Sequence, residues 1–299
     1  METSLALEAD DIIVEESDLP VSSSSADAHE AHPATVRRSG PYVLAFSHQK
    51  GGVAKTTSSA ALAAILAAAG YRVLAVDLDP TANLTASFGI NPARVRHSAA
   101  DILLGNEAIP DISVRTQVRG LDLLPSNTDM TLVARFLYLR PRFEYLLRAA
   151  LAQEAAVSLY DYVLVDCPPA LASLATTALT AANLVVIPIQ CEYYSLQALD
   201  AMFKSIQRIR TQTNPYLCFR LLVVMFDARG SLHKKVFEMI QKRYQGALFE
   251  TVIGFDTKLR EAQLAGIPIP VFAPHARATQ QYQLLVQELT AYVEKQSNP

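Results

Sequence analysis

Residues 48–57 read His48-Gln49-Lys50-Gly51-Gly52-Val53-Ala54-Lys55-Thr56-Thr57. They follow an apolar segment predicted to be a strand, Tyr42–Ser47, and they open an Ala-rich stretch predicted to be a helix, Lys55–Ala69. This is the context in which a phosphate loop forms, because small residues let backbone N–H groups close around phosphate oxygens and the helix N-terminus adds favourable partial charge. The segment therefore predicts a nucleotide site.

Within this loop, Lys55 is expected to reach the β- and γ-phosphates of ATP, and the Thr56 hydroxyl is expected to bind Mg²⁺. The residues expected to surround the nucleotide are Lys50, Gly51, Gly52, Val53, Ala54, Lys55, Thr56 and Thr57. The ordinary phosphate-loop pattern has glycine where this chain has Gln49 and Ala54. Alanine would be costly at position 54 if the backbone there needs a positive φ.

Two acidic motifs follow predicted strands further along the chain. The first is Asp77-Leu-Asp79-Pro-Thr81-Ala-Asn83, and the second is the end of Tyr162-Val-Leu-Val-Asp166. Carboxylates one residue apart at a strand end lie on the same face, where they could serve Mg²⁺, its water ligands and an attacking water. In phosphate-loop enzymes an aspartate placed like Asp166 holds Mg²⁺, often through water. The alternative interpretation of the first motif is a capping aspartate and a turn.

Short apolar runs alternate with helical patterns from Tyr42 onward, which predicts an α/β fold with a mostly parallel twisted sheet covered by helices on both faces. Ligands of such sheets bind beyond the carboxyl ends of the strands. The further predicted strands are Arg72–Val76, Gly120–Leu124, Tyr162–Asp166, Leu184–Pro188, Leu221–Met225 and Phe249–Ile253.

Charge is distributed unevenly over the 299 residues. Residues 1–40 carry nine acidic and two basic residues and a run of four serines, which predicts a disordered acidic tail ahead of an ATPase domain at 41–299. Residues 201–260 carry eleven basic and four acidic residues. The three cysteines show no metal-ligand or disulfide spacing, and no apolar run is long enough to span a bilayer, so a cytoplasmic protein is expected.

Lys50-Gly-Gly-x-x-Lys-Thr together with the two acidic motifs resembles the deviant phosphate-loop ATPases of the ParA/MinD family, and the likeness extends from about Tyr42 to Leu289. The resemblance implies a sandwich dimer formed with ATP, in which Lys50 crosses to the partner's phosphates. It also implies that Asp79 positions the hydrolytic water and that Asp77 acts in the metal's outer shell. Slow hydrolysis, stimulated by a ParB-like or other cargo adaptor, is expected.

This chain departs from the family pattern at three positions. Thr81 replaces the usual glutamine, and Gly254 and Asp256 replace a proline and an asparagine in a stretch that lies near the base in relatives. ATP is nevertheless the expected nucleotide. Because no DNA-binding domain is evident ahead of the loop, the chain resembles the shorter Soj-type members.

Such a switch could control binding of the protein to one of two surfaces, DNA or a membrane. Non-specific DNA, as for ParA-like proteins, is favoured by the basic content of 201–260, which predicts a nucleoid-associated ATPase that positions a plasmid, a chromosome origin or a protein assembly. The first DNA-contact candidates are Lys234, Lys235, Lys258 and Arg260. The alternative is a MinD-like membrane ATPase, but the C-terminal helical pattern 282–295 lacks a lysine-rich polar face. An iron–sulfur ATPase using Cys167 is a third possibility, and packing is the expected role of that cysteine.

Overall fold

A computed structural model describes residues 40–105, 107–169 and 172–297 of the chain. The acidic tail predicted at 1–40 therefore lies outside the described residues except for Gly40. The strands are β1 Tyr42–Phe46, β2 Val73–Asp77, β3 Val114–Arg115, β4 Leu121–Leu124, β5 Tyr162–Asp166, β6 Leu184–Ile189 and β7 Cys218–Val223.

The strands form a seven-stranded sheet in the order β3-β4-β2-β5-β1-β6-β7. All neighbouring pairs are parallel except β3 and β4, which are antiparallel. Every residue of β1, β2, β5 and β6 is buried, as expected for parallel strands covered on both faces. The predicted α/β fold with a mostly parallel sheet is confirmed.

Helices cover both faces of the sheet. Their bounds are α1 Lys55–Ala68, α2 Asn83–Ser87, α3 Ala99–Leu104, α4 Ile109–Ile112, α5 Met130–Phe136, α6 Leu146–Leu151, α7 Glu154–Val157, α8 Ser173–Ala181, α9 Tyr193–Gln212, α10 Ser231–Tyr244, α11 Thr257–Ala265, α12 Ile269–Phe272 and α13 Arg277–Ser297. Short 3₁₀ turns lie at Pro92–Arg94, Leu137–Leu139, Phe143–Tyr145 and Gln245–Ala247.

The alternation of side chains along the strands creates two hydrophobic cores. Val43 and Ala45 of β1 pack into one core with α3, α5, α6, α8 and α9, whereas Leu44 and Phe46 pack into the other with α1, α2, α11 and α13. The central strands lie between the two cores. Because β1, β2 and β5 are parallel, the loops that follow them all lie at the carboxyl end of the sheet. None of the helices in the described residues combines the length and the apolar character that a bilayer-spanning helix requires.

The predicted strand Phe249–Ile253 is wrong. The chain donates to two β7 carbonyl oxygens at the ends of this segment and forms isolated bridges at the residues that flank it, but a bend at Glu250 interrupts the segment, which adds no strand to the sheet. Two of its backbone N–H groups, those of Glu250 and Thr251, donate instead to the Glu288 carboxylate on α13, at 2.7 and 3.1 Å. A side chain 37 residues or more distant along the chain thus satisfies two donors in the middle of the segment.

Candidate nucleotide site

The loop between β1 and α1 has the backbone of a phosphate cradle. Gly52 has a φ of +74°, and a Cβ added at Gly51 or at Gly52 would meet nothing within 4 Å. Ala54 precedes the helix with a φ of +58° and ψ of 28°. This left-handed conformation costs an alanine about 1–2 kcal/mol. The position does require a positive φ, and such strain is characteristic of functional loops.

Lys55 is the cation of this cradle. Its residue is buried to 7% exposure at the first position of α1, and its Nζ donates to the Lys50 carbonyl oxygen at 3.3 Å. The ammonium group therefore bridges back across the loop instead of extending into solvent. A buried ammonium placed at a helix N-terminus makes the pocket attractive to an anion.

Thr56 and Asp166 meet at the floor of the site. The Thr56 hydroxyl donates to Asp166 Oδ2 at 2.6 Å, although 110 residues separate them, because β1 and β5 are neighbours in the sheet. Asp166 Oδ1 is buried and accepts no hydrogen bond within the described residues. Burial raises the pKa of Asp166 well above its usual range, and the negative charge of Asp77 raises that pKa further. An unpartnered buried carboxylate oxygen beside a threonine hydroxyl fits a divalent cation.

The donor set also indicates how such a cation would be held. In the part of the chain that the structure describes, no cluster of three or more His, Cys, Asp or Glu side chains has the geometry of a metal site. Mg²⁺ characteristically uses one or two carboxylates, and phosphate oxygens and water complete its shell. Asp166 and Thr56 fit that pattern, with a triphosphate on the loop supplying further oxygens.

Asp77 anchors the segment that follows β2. Its Oδ1 accepts from the Asp79 amide at 3.1 Å, and its Oδ2 accepts from both the amide and the hydroxyl of Thr85 on α2, at 2.8 and 2.7 Å. Burial raises the pKa of Asp77 to about 7, against the effect of these hydrogen bonds. The carboxylate lies beside the site and at the same time fixes α2 to the end of β2.

Asp79 follows Asp77 by two residues and is buried, at 7% exposure. Its Oδ1 accepts from the amide and the hydroxyl of Thr81, at 2.9 and 2.7 Å, and its carbonyl oxygen accepts from the Ser126 hydroxyl at 2.8 Å. The capping alternative is therefore part of the structure, because Asp79 does cap a turn. A carboxylate held this rigidly could also orient a water molecule.

The Lys50 ammonium contacts two residues that follow β6. Its Nζ lies 2.6 Å from Glu192 Oε2 and 3.3 Å from Gln190 Oε1, with the two charged side chains 38% and 47% exposed. Neither Gln190 nor Glu192 was predicted from the sequence to be a site residue. Their position after a predicted strand could have indicated a role. Strand β6 lies beside β1 and parallel to it, so the carboxyl ends of the two strands are adjacent.

His48 and Cys167 line the interior behind the loop. The His48 Nδ1 accepts from the Lys50 amide at 2.9 Å, and burial together with the charge of Lys55 lowers the pKa of His48 to about 4. A neutral imidazole thus shapes the loop. Burial, followed by the charge of Asp166, raises the pKa of the Cys167 thiol. A buried, protonated thiol is typical of a packing residue and unlike a reactive cysteine.

The four DNA-contact candidates lie on two helices. Lys234 and Lys235 are exposed on α10, whereas Lys258 and Arg260 are exposed on α11. Lys258 Nζ pairs with Glu261 at 2.6 Å, and the Arg260 guanidinium stacks on the Phe255 ring at 5.3 Å. The structure therefore separates them into two groups, both outside the nucleotide pocket.

Comparison with known proteins places the chain in a family. The family model described as an AAA domain matches residues 42–219. The sporulation initiation inhibitor protein Soj of Bacillus subtilis is 38% identical over 250 residues, covering 83% of this chain and 98% of the relative. This chain belongs to the ParA/Soj family of phosphate-loop ATPases. The chromosome partitioning protein ParA of Caulobacter vibrioides is a further relative, 36% identical over 248 residues and covering 83% of this chain and 93% of that protein. The resemblance to the ParA/MinD family is thereby confirmed.

Solved structures agree with the ParA/Soj fold. The cobyrinic acid a,c-diamide synthase of Mycobacterium smegmatis, solved with a bound ATP analogue and magnesium, superposes with a TM-score of 0.74 at 32% identity. The match covers 85% of this chain and 96% of that one. A plasmid partition protein of Borrelia burgdorferi bound to AMPPNP has the same fold, with a TM-score of 0.71 at 23% identity, covering 84% of this chain and 99% of that one.

Proposed function

We propose that this chain is an ATP-dependent molecular switch that dimerises on ATP, binds DNA without sequence preference and positions a cargo. The cargo would be a plasmid, a chromosome origin or a protein assembly. The observation that supports this proposal most directly is the division of the two loop lysines. Lys55 is buried in its own cradle, whereas the partly exposed Lys50 side chain is paired with Glu192.

In this proposal the backbone of the loop and Lys55 bind the β- and γ-phosphates of ATP. Thr56 and Asp166 would hold Mg²⁺, which supplies charge neutralisation at the phosphates when it is bound. Asp77 would lie in the outer coordination shell of the Mg²⁺, and its hydrogen bond with Thr85 keeps α2 in place. Asp79 orients the water that attacks the γ-phosphate. We expect hydrolysis to be slow and to be stimulated by a partner.

On dimerisation, the Lys50 ammonium would leave Glu192 and pair with the phosphates of the ATP bound to the facing protomer. Its pair with Glu192 is substantially exposed, and exposed pairs contribute only about 0–1 kcal/mol. A triphosphate from the facing protomer is a far stronger attractor, because it concentrates several negative charges in a site that excludes water. Lys50 can therefore leave Glu192 at little cost when ATP brings two protomers together.

Lys50→Ala should leave ATP binding by the monomer within a few-fold of wild type and should abolish the ATP-dependent dimer. The reason is that Lys55, not Lys50, is directed into the cradle of its own protomer. Sedimentation velocity with and without ATP measures the dimer, and calorimetry measures the affinity. Arg119→Ala, which removes an exposed cation at the far edge of the sheet, is the control. Equal sedimentation of Lys50→Ala and wild type in ATP would contradict the role in trans.

DNA is the surface best supported by the charges. Lys234 and Lys235 are adjacent and exposed on α10, in the region with eleven basic and four acidic residues. Basic side chains on several elements, without a recognition helix, favour phosphate contacts and non-specific binding. The C-terminal helix α13 offers little to a membrane, because Tyr282, Leu285 and Leu289 on its apolar face are buried in the core. Retention on DNA compared with acidic liposomes, both with ATP, distinguishes the two surfaces.

Lys234→Glu combined with Lys235→Glu should weaken ATP-dependent DNA binding and reduce its salt dependence. Arg260→Glu should do so separately, and Lys258→Glu is the next substitution. Each lost phosphate contact should lower the slope of log affinity against log salt by about 1. Fluorescence anisotropy across a salt series measures this slope. Arg115→Glu combined with Arg119→Glu is the matched control, since these exposed arginines lie at the opposite edge of the sheet. Unchanged DNA binding in every test variant would mean that DNA binds elsewhere on the protein or that the protein does not bind DNA.

The proposed cellular setting follows from these activities. A switch that binds DNA in its ATP state would reside in the cytoplasm, on the nucleoid, and a ParB-like or other adaptor on the cargo would stimulate hydrolysis. ATP turnover measured with and without a candidate adaptor, at constant DNA, tests this part of the proposal. An adaptor that binds the dimer without raising turnover would contradict it.

A further inference from the structure

The two adjacent threonines of the loop face different partners. Thr56 donates to Asp166 at the floor of the site, whereas the Thr57 hydroxyl oxygen accepts a hydrogen bond from Gln263 Nε2 at 2.6 Å. Gln263 belongs to α11 and is 206 residues away in sequence. A helix outside the phosphate cradle is thus hydrogen-bonded to a residue of the cradle itself.

The C-terminal end of α11 contacts a second part of the site. Gly266 ends the helix with a φ of +65°, and a Cβ added there would lie 2.9 Å from the carbonyl oxygen of Ala86 on α2. Helix α2 begins four residues after Asp79 and is anchored to β2 by the hydrogen bonds between Thr85 and Asp77. Helix α11 therefore touches both the loop and the segment that follows the water-orienting aspartate.

The N-terminal end of α11 carries the basic side chains. Lys258 and Arg260 lie in its first turns. Asp256 caps the helix by accepting from the Lys258 amide at 3.0 Å, and its other oxygen accepts from the Ala278 amide on α13 at 3.1 Å. The helix is nine residues long and its start is fixed by these two hydrogen bonds, so Gln263 lies on the same short element as the two basic side chains.

We propose that Gln263 is a positioning residue that couples nucleotide occupancy of the loop to helix α11 through Thr57. Because Gln263 donates to the Thr57 oxygen, the hydroxyl hydrogen remains available to a phosphate oxygen. When the Thr57 hydroxyl donates to a charged phosphate oxygen, the hydroxyl is polarised. The hydrogen bond that its oxygen accepts from Gln263 then becomes stronger, by about 10–30% in condensed phases. Bound nucleotide thus holds Gln263, and with it the orientation of Lys258 and Arg260. This inference rests on the proposed ATP site at the loop, and its link to DNA rests on the proposed DNA surface.

The test is hydrogen exchange of full-length protein with and without ATP. In wild type, ATP should slow amide exchange both in α1, at 55–68, and in α11, at 257–265. Gln263→Ala should keep the first effect and lose the second. The side chain is exposed, so the variant is expected to fold, and its Tm is checked. Gln241→Ala, which removes an exposed glutamine from α10, is the matched control and should behave as wild type.

Two further readouts separate coupling from a merely structural role. Because only the 10–30% strengthening of one hydrogen bond depends on ATP, the ratio of DNA affinities with and without ATP should fall by up to about twofold in Gln263→Ala. Gln263→Glu preserves the shape of the side chain but accepts the Thr57 hydrogen, so it should lower ATP affinity more than Gln263→Ala does. ATP affinity equal to wild type in Gln263→Glu would count against the proposed orientation of the hydroxyl.

The outcomes distinguish this inference from the proposed function. If ATP slows exchange in α11 equally in Gln263→Ala and wild type, or slows it in neither while α1 responds, the coupling is overturned. If ATP slows α11 only when Gln263 is present, yet wild type binds no DNA, the coupling holds and the DNA function fails. If ATP changes exchange nowhere in wild type, the ATP site itself is rejected, and the coupling with it.

Discussion

Lys55→Ala is expected to abolish nucleotide binding. Lys55 is buried in the loop and donates to the Lys50 carbonyl oxygen, so it is the cation of its own cradle. Removing one partner of a buried charge interaction costs about 3–5 kcal/mol, which corresponds to a roughly 100- to 5,000-fold loss of affinity. In the monomer, the Lys50 ammonium is paired with Glu192 instead of lying in the cradle.

Calorimetric titration with ATP and Mg²⁺ measures this loss. Lys204→Ala, which removes an exposed lysine from α9, is the control and should bind as wild type. Lys50→Ala provides the internal comparison, since both variants remove one lysine from the same ten-residue segment. Unchanged ATP affinity in Lys55→Ala would reject the assignment of residues 50–57 as the phosphate loop.

Asp79→Ala is expected to bind ATP normally and to lose hydrolysis, so that the ATP-bound dimer persists. Asp79 follows β2 and is not part of the loop, and a negatively charged carboxylate is better suited to orienting water than to binding phosphate. Removing such a group should lower turnover by at least about 100-fold. Phosphate release measures turnover, and light scattering follows the dimer over the same period.

Asp79→Asn separates the two tasks of this side chain. The amide oxygen can still accept from the Thr81 amide and hydroxyl, so the turn is preserved, but the negative charge is lost. If charge orients the water, the Asn variant should also lose hydrolysis while retaining the Tm of wild type. Normal turnover in either variant would remove Asp79 from the mechanism.

The sequence alone was sufficient for features that depend on neighbouring residues. The strand, the glycine-rich turn and the helix around Lys55 follow from local pattern, and β1, α1 and β5 begin where they were predicted. Asp166 was placed at a strand end for the same reason. Near-continuous apolar strands that alternate with helices also determined the class of fold, because only a sheet covered on both faces buries them.

Other features were open until the tertiary structure was known. The sequence showed that an alanine at position 54 departs from the usual glycine, but only the backbone shows that the position has a positive φ. A strand was predicted at Phe249–Ile253 because its composition fits one, yet the Glu288 carboxylate of α13 takes two of its donors. Local propensity cannot reveal that a distant side chain competes with a neighbouring strand.

The contacts that give the residues of the loop their different partners join residues far apart in the chain. Thr56 meets Asp166 across 110 residues, Lys50 meets Glu192 across 142, and Thr57 meets Gln263 across 206. The sequence determined that a phosphate loop with two lysines exists in this chain. Only the tertiary structure decided that one lysine is buried in the cradle, that the other is paired outside it, and that α11 is hydrogen-bonded to the loop. The order of the strands in the sheet determines which strand ends and helices become neighbours, and no pattern within a single segment contains that order.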